Sequence, residues 1–216
     1  MDVRVTVYLE TRLIQAKLRN RPHPRPFIGK GRSKLNDQQP RISNGNGSGG
    51  VAATLAIGTL AGVVGVWALD RLDWSMWESE APETREETTA VRPGGEPPAQ
   101  ALVTKTTEAL GTQLSPTTHE AVSQFVHYSI GVAPAVAYAF LRHRLGGPSL
   151  TRGALFGASL WAMQDEGLNT ITGLGAAPSE YPWQDHARGL VAHTFFGMAV
   201  EAVLAFADEG RRATAD

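Results

Sequence analysis

Long apolar stretches alternate with polar stretches along this chain, and four of the apolar stretches have the length of a membrane-crossing helix. The first, VAATLAIGTLAGVVGVWAL at 51–69, contains nineteen residues and no charge. At ~1.5 Å rise per residue, it nearly spans a ~30 Å hydrocarbon layer. The other three spans are predicted at about 120–141, 152–173 and 188–207. This pattern predicts an all-α fold organised as a four-helix transmembrane bundle over 51–207.

Pairs of glycines four residues apart occur on the first and third predicted spans. Gly58 and Gly62 form one pair, and Gly153 and Gly157 form the other. Such pairs give a helix a smooth surface on which a neighbouring helix can pack closely. A glycine-rich helix buried in a soluble protein is the alternative for 51–69. The low helix propensity of glycine in water favours the membrane interpretation.

The polar segments differ strongly in charge. Residues 1–50 hold ten Lys/Arg and three acidic residues and end in a Gly/Ser/Asn-rich run, which predicts a disordered basic tail. Residues 70–118 hold nine acidic and four basic residues and are expected to form an extramembrane loop with one short helix. A polar tail, 208–216, closes the chain. The first apolar run begins about fifty residues into the chain, so no signal peptide is expected.

Charge also predicts the topology, because Lys and Arg favour the cytoplasmic side of a membrane. With the N-terminus inside, the segments 1–50, 142–152 and 208–216 collect fifteen Lys/Arg, whereas 70–118 and 173–188 collect five. We therefore expect four spans with both termini in the cytoplasm.

Five ionisable residues lie within the predicted spans. They are His127, Asp165, Glu166, His193 and Glu201. Counted from the span ends, His127, the Asp165–Glu166 pair and His193 lie within about one helical turn of a common depth near the outer side. Glu201 lies apart, ~9 Å from the cytoplasmic side. Ionisable groups in a span normally face the interior of a bundle, so these residues predict a buried polar cluster.

The helix period gives two further expectations for individual residues. His193, Gly197 and Glu201 recur every four residues and share one face of the last span, while Phe196 is expected on another face. Pro134 is expected to kink the second span.

Several functions remain open for the cluster. In one alternative, the His and carboxylate side chains form an interhelical hydrogen-bond network that fixes helix packing. In another, they line a path for protons or a small solute. A metalloprotein using His127, Asp165, Glu166 and His193 is a further alternative, because these side chains bind zinc or iron. No local ligand motif such as HExxH occurs, so no metal and no cofactor are expected. The absence of cysteine excludes disulfides and thiolate metal sites.

Enzymatic activity is not expected, because the chain contains neither a nucleophile-elbow motif nor a Gly-rich phosphate loop with a lysine. A non-enzymatic alternative is a membrane-anchored scaffold that recruits partners through its basic tail and acidic loop. The expected partners are the lipid bilayer and, as an open alternative, further copies of the chain. Nucleic acid is not expected, because Tyr8 and Phe27 are the only Phe, Tyr or Trp residues available among the basic residues of the tail.

A set of features in a fixed order also suggests a family. The set contains the Gly-rich span that ends in Trp and acidic residues, Pro97 and Pro98, His127, the Ala137–Tyr138 dipeptide, the segment GLGAAPSEYPW, and His193 with Glu201 eight residues later. In this order, over 51–207, they resemble the YagU-like family of bacterial inner-membrane proteins of unknown function. The resemblance implies an inner-membrane location and four helices, and it implies no reaction. The basic tail and the Asp165–Glu166 pair depart from the family pattern.

Overall fold

The computed structural model describes residues 48–214, and within them every regular element is a helix. The prediction of an all-α fold is therefore confirmed for this part of the chain. The predicted basic tail, 1–50, lies outside the described residues except for its last three.

Seven α-helices occur in the described part of the chain. In chain order they are α1 (Ser48–Ser79), α2 (Pro82–Val91), α3 (Pro98–Ala109), α4 (Pro116–Leu141), α5 (Ser149–Met163), α6 (Asn169–Ile171) and α7 (Trp183–Ala213). A π-helical turn, Gln164–Leu168, joins α5 to α6, so 149–171 is one continuous helical segment. Short 3₁₀ turns lie at Pro93–Gly95, Arg142–Arg144 and Pro178–Glu180.

Three of these helices are long and apolar enough to cross a membrane. They comprise Gly50–Ser79, Pro116–Arg144 and Trp183–Ala213. Each is between 29 and 31 residues long, more than the ~20 residues that a hydrocarbon layer requires. By length and composition, these three helices are compatible with a membrane protein.

Helix boundaries follow the prolines rather than the first charges. α1 continues ten residues beyond 69, where the sequence analysis ended the first span, because no proline follows until Pro82. α2, α3 and α4 each begin on a proline, a residue that the first turn of a helix accommodates because its N–H groups have no intrahelical partner. The segment 70–118 thus contains the end of α1 and two short helices, rather than one short helix.

Glycines bring the long helices together. A methyl group added to Gly62 of α1 would lie 2.8 Å from the Cα of Val132 on α4, and one added to Gly65 would lie 2.8 Å from the Phe196 ring on α7. α1 therefore packs against α4 on one side and α7 on another. α5 packs against α7, where a methyl group at Gly157 would lie 1.9 Å from the backbone oxygen of His193.

The contacts run antiparallel and give the assembly two ends of different composition. We call one the acidic end, which contains Asp70, Asp73, Glu80, Asp165 and Glu166, and the other the arginine end, which contains Arg142, Arg144 and Arg152. An apolar core lies between the two ends. Its fully or nearly buried members include Ala61, Val66, Ala135, Leu160, Phe196 and Val200.

Candidate functional site

A polar interior lies at the acidic end, among α1, α4, α5 and α7. It consists of two adjoining cavities of about 130 and 240 Å³. Asp73, Arg92, Asp165 and Asn169 line both cavities, which makes them parts of one site. Each is large enough for several water molecules.

Three His–carboxylate pairs surround this interior, and each pair joins two helical segments. His127 Nε2 of α4 lies 2.8 Å from Asp70 Oδ1 of α1. The other two pairs join α7 to the π-helical turn. His193 Nδ1 lies 3.4 Å from Asp165 Oδ2, and His186 Nδ1 lies 2.7 Å from Glu166 Oε1.

The hydrogen bonds of His186 require an additional proton. Its Nε2 lies 2.9 Å from the backbone oxygen of Pro178, an acceptor, so Nε2 must carry a hydrogen. Its Nδ1 faces the carboxylate of Glu166, which accepts when ionised. Both contacts are satisfied together only when the pair holds one proton more than a neutral imidazole and an ionised carboxylate. This pair is therefore a proton-holding group at the edge of the interior.

The π-helical turn Gln164–Leu168 places two consecutive carboxylates toward the same neighbouring helix. The backbone N–H of Asn169 donates to the oxygen of Gln164, five residues earlier, rather than to the residue four earlier. In this wider turn, Asp165 and Glu166 both reach histidines of α7. Single π-helical turns inside α-helices occur frequently at functional sites.

Pro134 contributes to the same region from α4. Proline has no N–H, so the backbone oxygen of Ile130, four residues earlier, lacks its usual intrahelical donor. Gln164 Nε2, at the first residue of the π-helical turn, lies 3.4 Å from that oxygen and donates to it. Pro134 of α4 thus allows a hydrogen bond between α4 and the π-helical turn that carries Asp165 and Glu166.

Arg188 closes the outer side of the interior. Its side chain is buried, and Nε donates to Asp73 Oδ1 at 3.0 Å and Nη1 to Glu80 Oε1 at 2.5 Å. Nη2 donates to Asp185. The guanidinium carbon also lies 4.8 Å from the centroid of the Trp77 ring, which adds a cation–π contact. Three of these partners, Asp73, Trp77 and Glu80, fix the start of α7 against the end of α1, while Asp185 lies on α7 itself.

Apolar residues close the polar interior on the side that faces the middle of the assembly, and we call Phe196 and Val200 of α7 its apolar floor. Phe196 and Val200 of α7 are 1% and 0% exposed. Beside them, α5 and α7 touch through backbone atoms, because a methyl group at Gly197 would lie 2.0 Å from the backbone oxygen of Gly153. These contacts separate the polar interior from the arginine end.

A second polar group lies below this floor, at the arginine end. Glu201 is fully buried, and its Oε1 accepts hydrogen bonds from Arg142, Ser149 and Arg152, each at 2.7 Å. Its Oε2 accepts from the Tyr138 hydroxyl, also at 2.7 Å. This carboxylate has an ion pair with each of two arginines and is saturated with donors from three chain segments.

Arg142 extends the group toward the end of α7. The side chain is almost fully buried, and its Nη2 donates to the backbone oxygen of Leu204 at 3.1 Å and to the carboxylate of Asp208. The turn after α4 is thereby held to the last turns of α7. The residues that the sequence analysis placed in a basic cytoplasmic turn are thus partly internal.

The structure divides the predicted polar cluster. Asp165 and His193 form a pair, and His127 lines the same cavity but pairs with Asp70 rather than with either of them. Glu166 lines only the neighbouring cavity and pairs with His186. Glu201 lies on the other side of the apolar floor, at the arginine end. The expectation that Phe196 lies away from the packed face is wrong, because Phe196 is core and Phe195 is the exposed neighbour.

The sequence analysis missed most of the partners. They are Asp70, Asp73, Tyr138, Arg142, Arg152, His186 and Arg188. For α1 the signal was present, because positions 62, 66, 70, 73 and 77 continue one helix face at spacings of three and four beyond the apolar run. For the arginines no local signal exists, since exposed and buried arginines look alike in a single sequence.

The four predicted glycines all lie at helix contacts. Gly58 faces Val136 and Ala139 of α4, and Gly62 faces Val132 and Ala135. The third-span pair, Gly153 and Gly157, faces the backbone of α7 at Gly197 and His193.

Comparison of the chain with protein-family models, with curated proteins and with solved structures finds no match. Within residues 48–214, no group of three or more His, Asp or Glu side chains is arranged to hold a metal ion. The metalloprotein alternative named His127, Asp165, Glu166 and His193, and the geometry divides these four side chains among three His–carboxylate pairs.

Proposed function

We propose that the chain is a four-span protein of the bacterial inner membrane whose interior at the acidic end takes up protons from the extracytoplasmic side and passes them inward when the apolar floor of Phe196 and Val200 opens. Three helices have the length and composition of spans. The fourth span in this proposal is 149–171, which packs along α7 and exposes apolar side chains such as Leu155 and Met163. Membership of the YagU-like family agrees with this proposal and stays a prediction.

The orientation in this proposal follows from charge. The arginine end would lie in the cytoplasm, because Arg142, Arg144 and Arg152 lie there and basic residues favour that side. The acidic end would then face outward. Its carboxylates give the entrance a negative potential that raises the local concentration of protons and other cations.

The observation that carries the proposal is the set of three His–carboxylate pairs around one polar interior. His127–Asp70 and His186–Glu166 are hydrogen-bonded, whereas His193 Nδ1 donates to the backbone oxygen of Gly189 at 3.0 Å and lies 3.4 Å from Asp165. Imidazole groups can take up and release protons in the physiological pH range. The pairs lie on the outer side of the Phe196–Val200 floor, so protons would exchange there first. Passage to the arginine end would require this floor to open.

Proton uptake by reconstituted protein tests the proposal. Purified protein is placed in vesicles that enclose a pH-sensitive dye, and a potassium diffusion potential drives protons inward. We expect acidification above that of protein-free vesicles, and a decrease of about tenfold or more in Asp165→Asn, because the His193–Asp165 pair loses its titratable carboxylate. Glu83→Gln, an exposed carboxylate change at the same end, should leave the rate unchanged.

A second function is favoured by the Glu201 group. A carboxylate saturated by two arginines, a serine and a tyrosine supports helix packing rather than proton movement. If wild-type vesicles acidify no faster than protein-free ones, proton movement is wrong. The His–carboxylate pairs would then be packing elements of the same kind.

A further inference from the structure

An apolar cleft of about 700 Å³ opens between α4 and α5, at the arginine-end half of the molecule. The two helices touch through the Tyr138 and Phe156 rings, whose centroids lie 4.2 Å apart with an angle of 11°. Around this contact the cleft walls are mainly aliphatic. Leu141, Leu155 and Met163 are 48%, 64% and 55% exposed along it.

Polar groups are concentrated at one end of this cleft. Arg144 and Arg152 lie at the mouth near the arginine end, together with Gly146. The wall then continues along α5 from Arg152 to Met163, eleven residues or about 16 Å at ~1.5 Å per residue. One leaflet of a ~30 Å hydrocarbon layer is about 15 Å thick, so the cleft matches the depth of one leaflet.

The two arginines at the mouth differ in their partners. Arg152 is committed to Glu201 and to the backbone oxygen of Gly147, and its buried Nε has no hydrogen-bond partner among the described residues. Arg144 is exposed and forms no ion pair with any residue of 48–214. Among the described residues, the positive charge of Arg144 at the polar end of this apolar cleft thus has no ion-pair partner.

We propose that this cleft binds one anionic phospholipid of the cytoplasmic leaflet, with an acyl chain between α4 and α5 and the phosphodiester at Arg144. An apolar cleft that opens sideways in a bilayer is complementary to hydrocarbon. The planar guanidinium group binds phosphate oxygens through two parallel hydrogen bonds. Basic pockets between membrane helices on the cytoplasmic side are known sites for anionic headgroups. The proposal rests on the membrane location proposed above, but not on proton exchange.

Native mass spectrometry of the full-length chain in a neutral detergent tests this proposal. The protein is titrated with phosphatidylglycerol, which is anionic, and with phosphatidylcholine of the same acyl chains, which has no net charge. We expect one phosphatidylglycerol to bind at least about tenfold more tightly than phosphatidylcholine, because its headgroup charge is not neutralised internally. Arg144→Gln should remove this preference. Arg212→Gln, the same charge change at an exposed position at the end of α7, should keep it.

The acyl-chain part of the proposal has its own variant. Leu155→Trp places a large ring in the cleft and should weaken binding of both lipids by about tenfold. Leu60→Trp, at a comparably exposed leucine of α1 outside the cleft, should not. Circular dichroism and gel filtration show whether each variant is folded.

Three results would overturn the proposal. The first is equal binding of the two lipids by the wild-type chain. The second is an Arg144→Gln variant that binds phosphatidylglycerol as well as Arg212→Gln does. The third is a lipid-free dimer that Leu155→Trp dissociates, which would assign the cleft to a second copy of the chain. None of these results bears on acidification in vesicles, so the two proposals fail separately.

Discussion

The buried side chain of Glu201 holds several chain segments together, because all of its hydrogen-bond donors are buried or partly buried with it. The carboxylate connects α4, the turn after it, and the first turn of α5 to α7. Removing a carboxylate and two arginines from water is unfavourable, and close hydrogen bonds offset that loss only while every partner is present. The group is therefore sensitive to the loss of a single charge.

Glu201→Gln is expected to lower the free energy of unfolding by about 3 kcal/mol, because it removes the charge partner of Arg152 and leaves buried Arg142 paired with Asp208 alone. Glu209→Gln, the matched change at an exposed position on α7, should alter it by less than about 0.5 kcal/mol. Unfolding of purified protein in mixed detergent micelles with increasing SDS measures both. Equal stability of the two variants would show that the buried pair contributes no net stabilisation.

At the scale of the helices, the contact between α5 and α7 has the closest glycine approach among the described helices. Gly153 and Gly157 on α5 meet Gly197 on α7, so backbone contacts backbone with no side chain between them. In lipid, the hydrophobic effect does not drive helices together. Close packing of this kind therefore stabilises a helix contact through van der Waals attraction. The crossing also positions Asp165 and Glu166 beside the histidines of α7.

Gly157→Ala is expected to destabilise the protein by roughly 1–3 kcal/mol, because the methyl group would force the two backbones apart. Gly210→Ala, near the end of α7 where a methyl group meets nothing within 4 Å, should have the opposite sign and stabilise by up to about 1 kcal/mol through helix propensity. The same SDS unfolding measurement compares them. A Gly157→Ala variant as stable as the wild type would contradict the backbone contact.

The apolar runs were sufficient to predict the three longest helices, but not where each helix ends or what its polar residues bind. The first span was ended at 69 because charges begin there, yet Asp70 and Asp73 continue the packed face of α1 and hold His127 and Arg188. Of the predicted cluster, His193 lies 3.4 Å from Asp165, whereas His127 and Glu166 have other partners. The π-helical turn could not be predicted, because its wider hydrogen bonding depends on contacts with α4 and α7 rather than on local sequence.

Over the whole molecule, charge is distributed by end. Arginines surround a buried glutamate at one end, whereas carboxylates surround a buried arginine, Arg188, at the other. The apolar core lies between them. Such a distribution favours one orientation in a membrane, since Lys and Arg of short loops stay in the cytoplasm.

Reporter fusions test that orientation in cells. Reporters placed after residues 30, 95 and 147 should indicate the cytoplasm, the extracytoplasmic side and the cytoplasm, because the positive-inside rule orients short loops. Position 147 is the sharpest of the three, because it lies in the turn between Arg144 and Arg152. An extracytoplasmic signal from 30 or 147, or release of the protein from membranes by alkaline carbonate, would contradict the proposed topology.

The π-helical turn also has a consequence for how this sequence can change by insertion or deletion. A π-helical turn contains one residue more than the α-helical turn that it replaces. Loss of one residue from 164–168 would restore regular α-helical hydrogen bonding and thus leave the helix intact. Because the wide turn already accommodates the additional residue, the later residues of the segment would keep nearly the same direction. Homologues one residue shorter here would therefore keep the fold but present fewer side chains of this turn to His186 and His193.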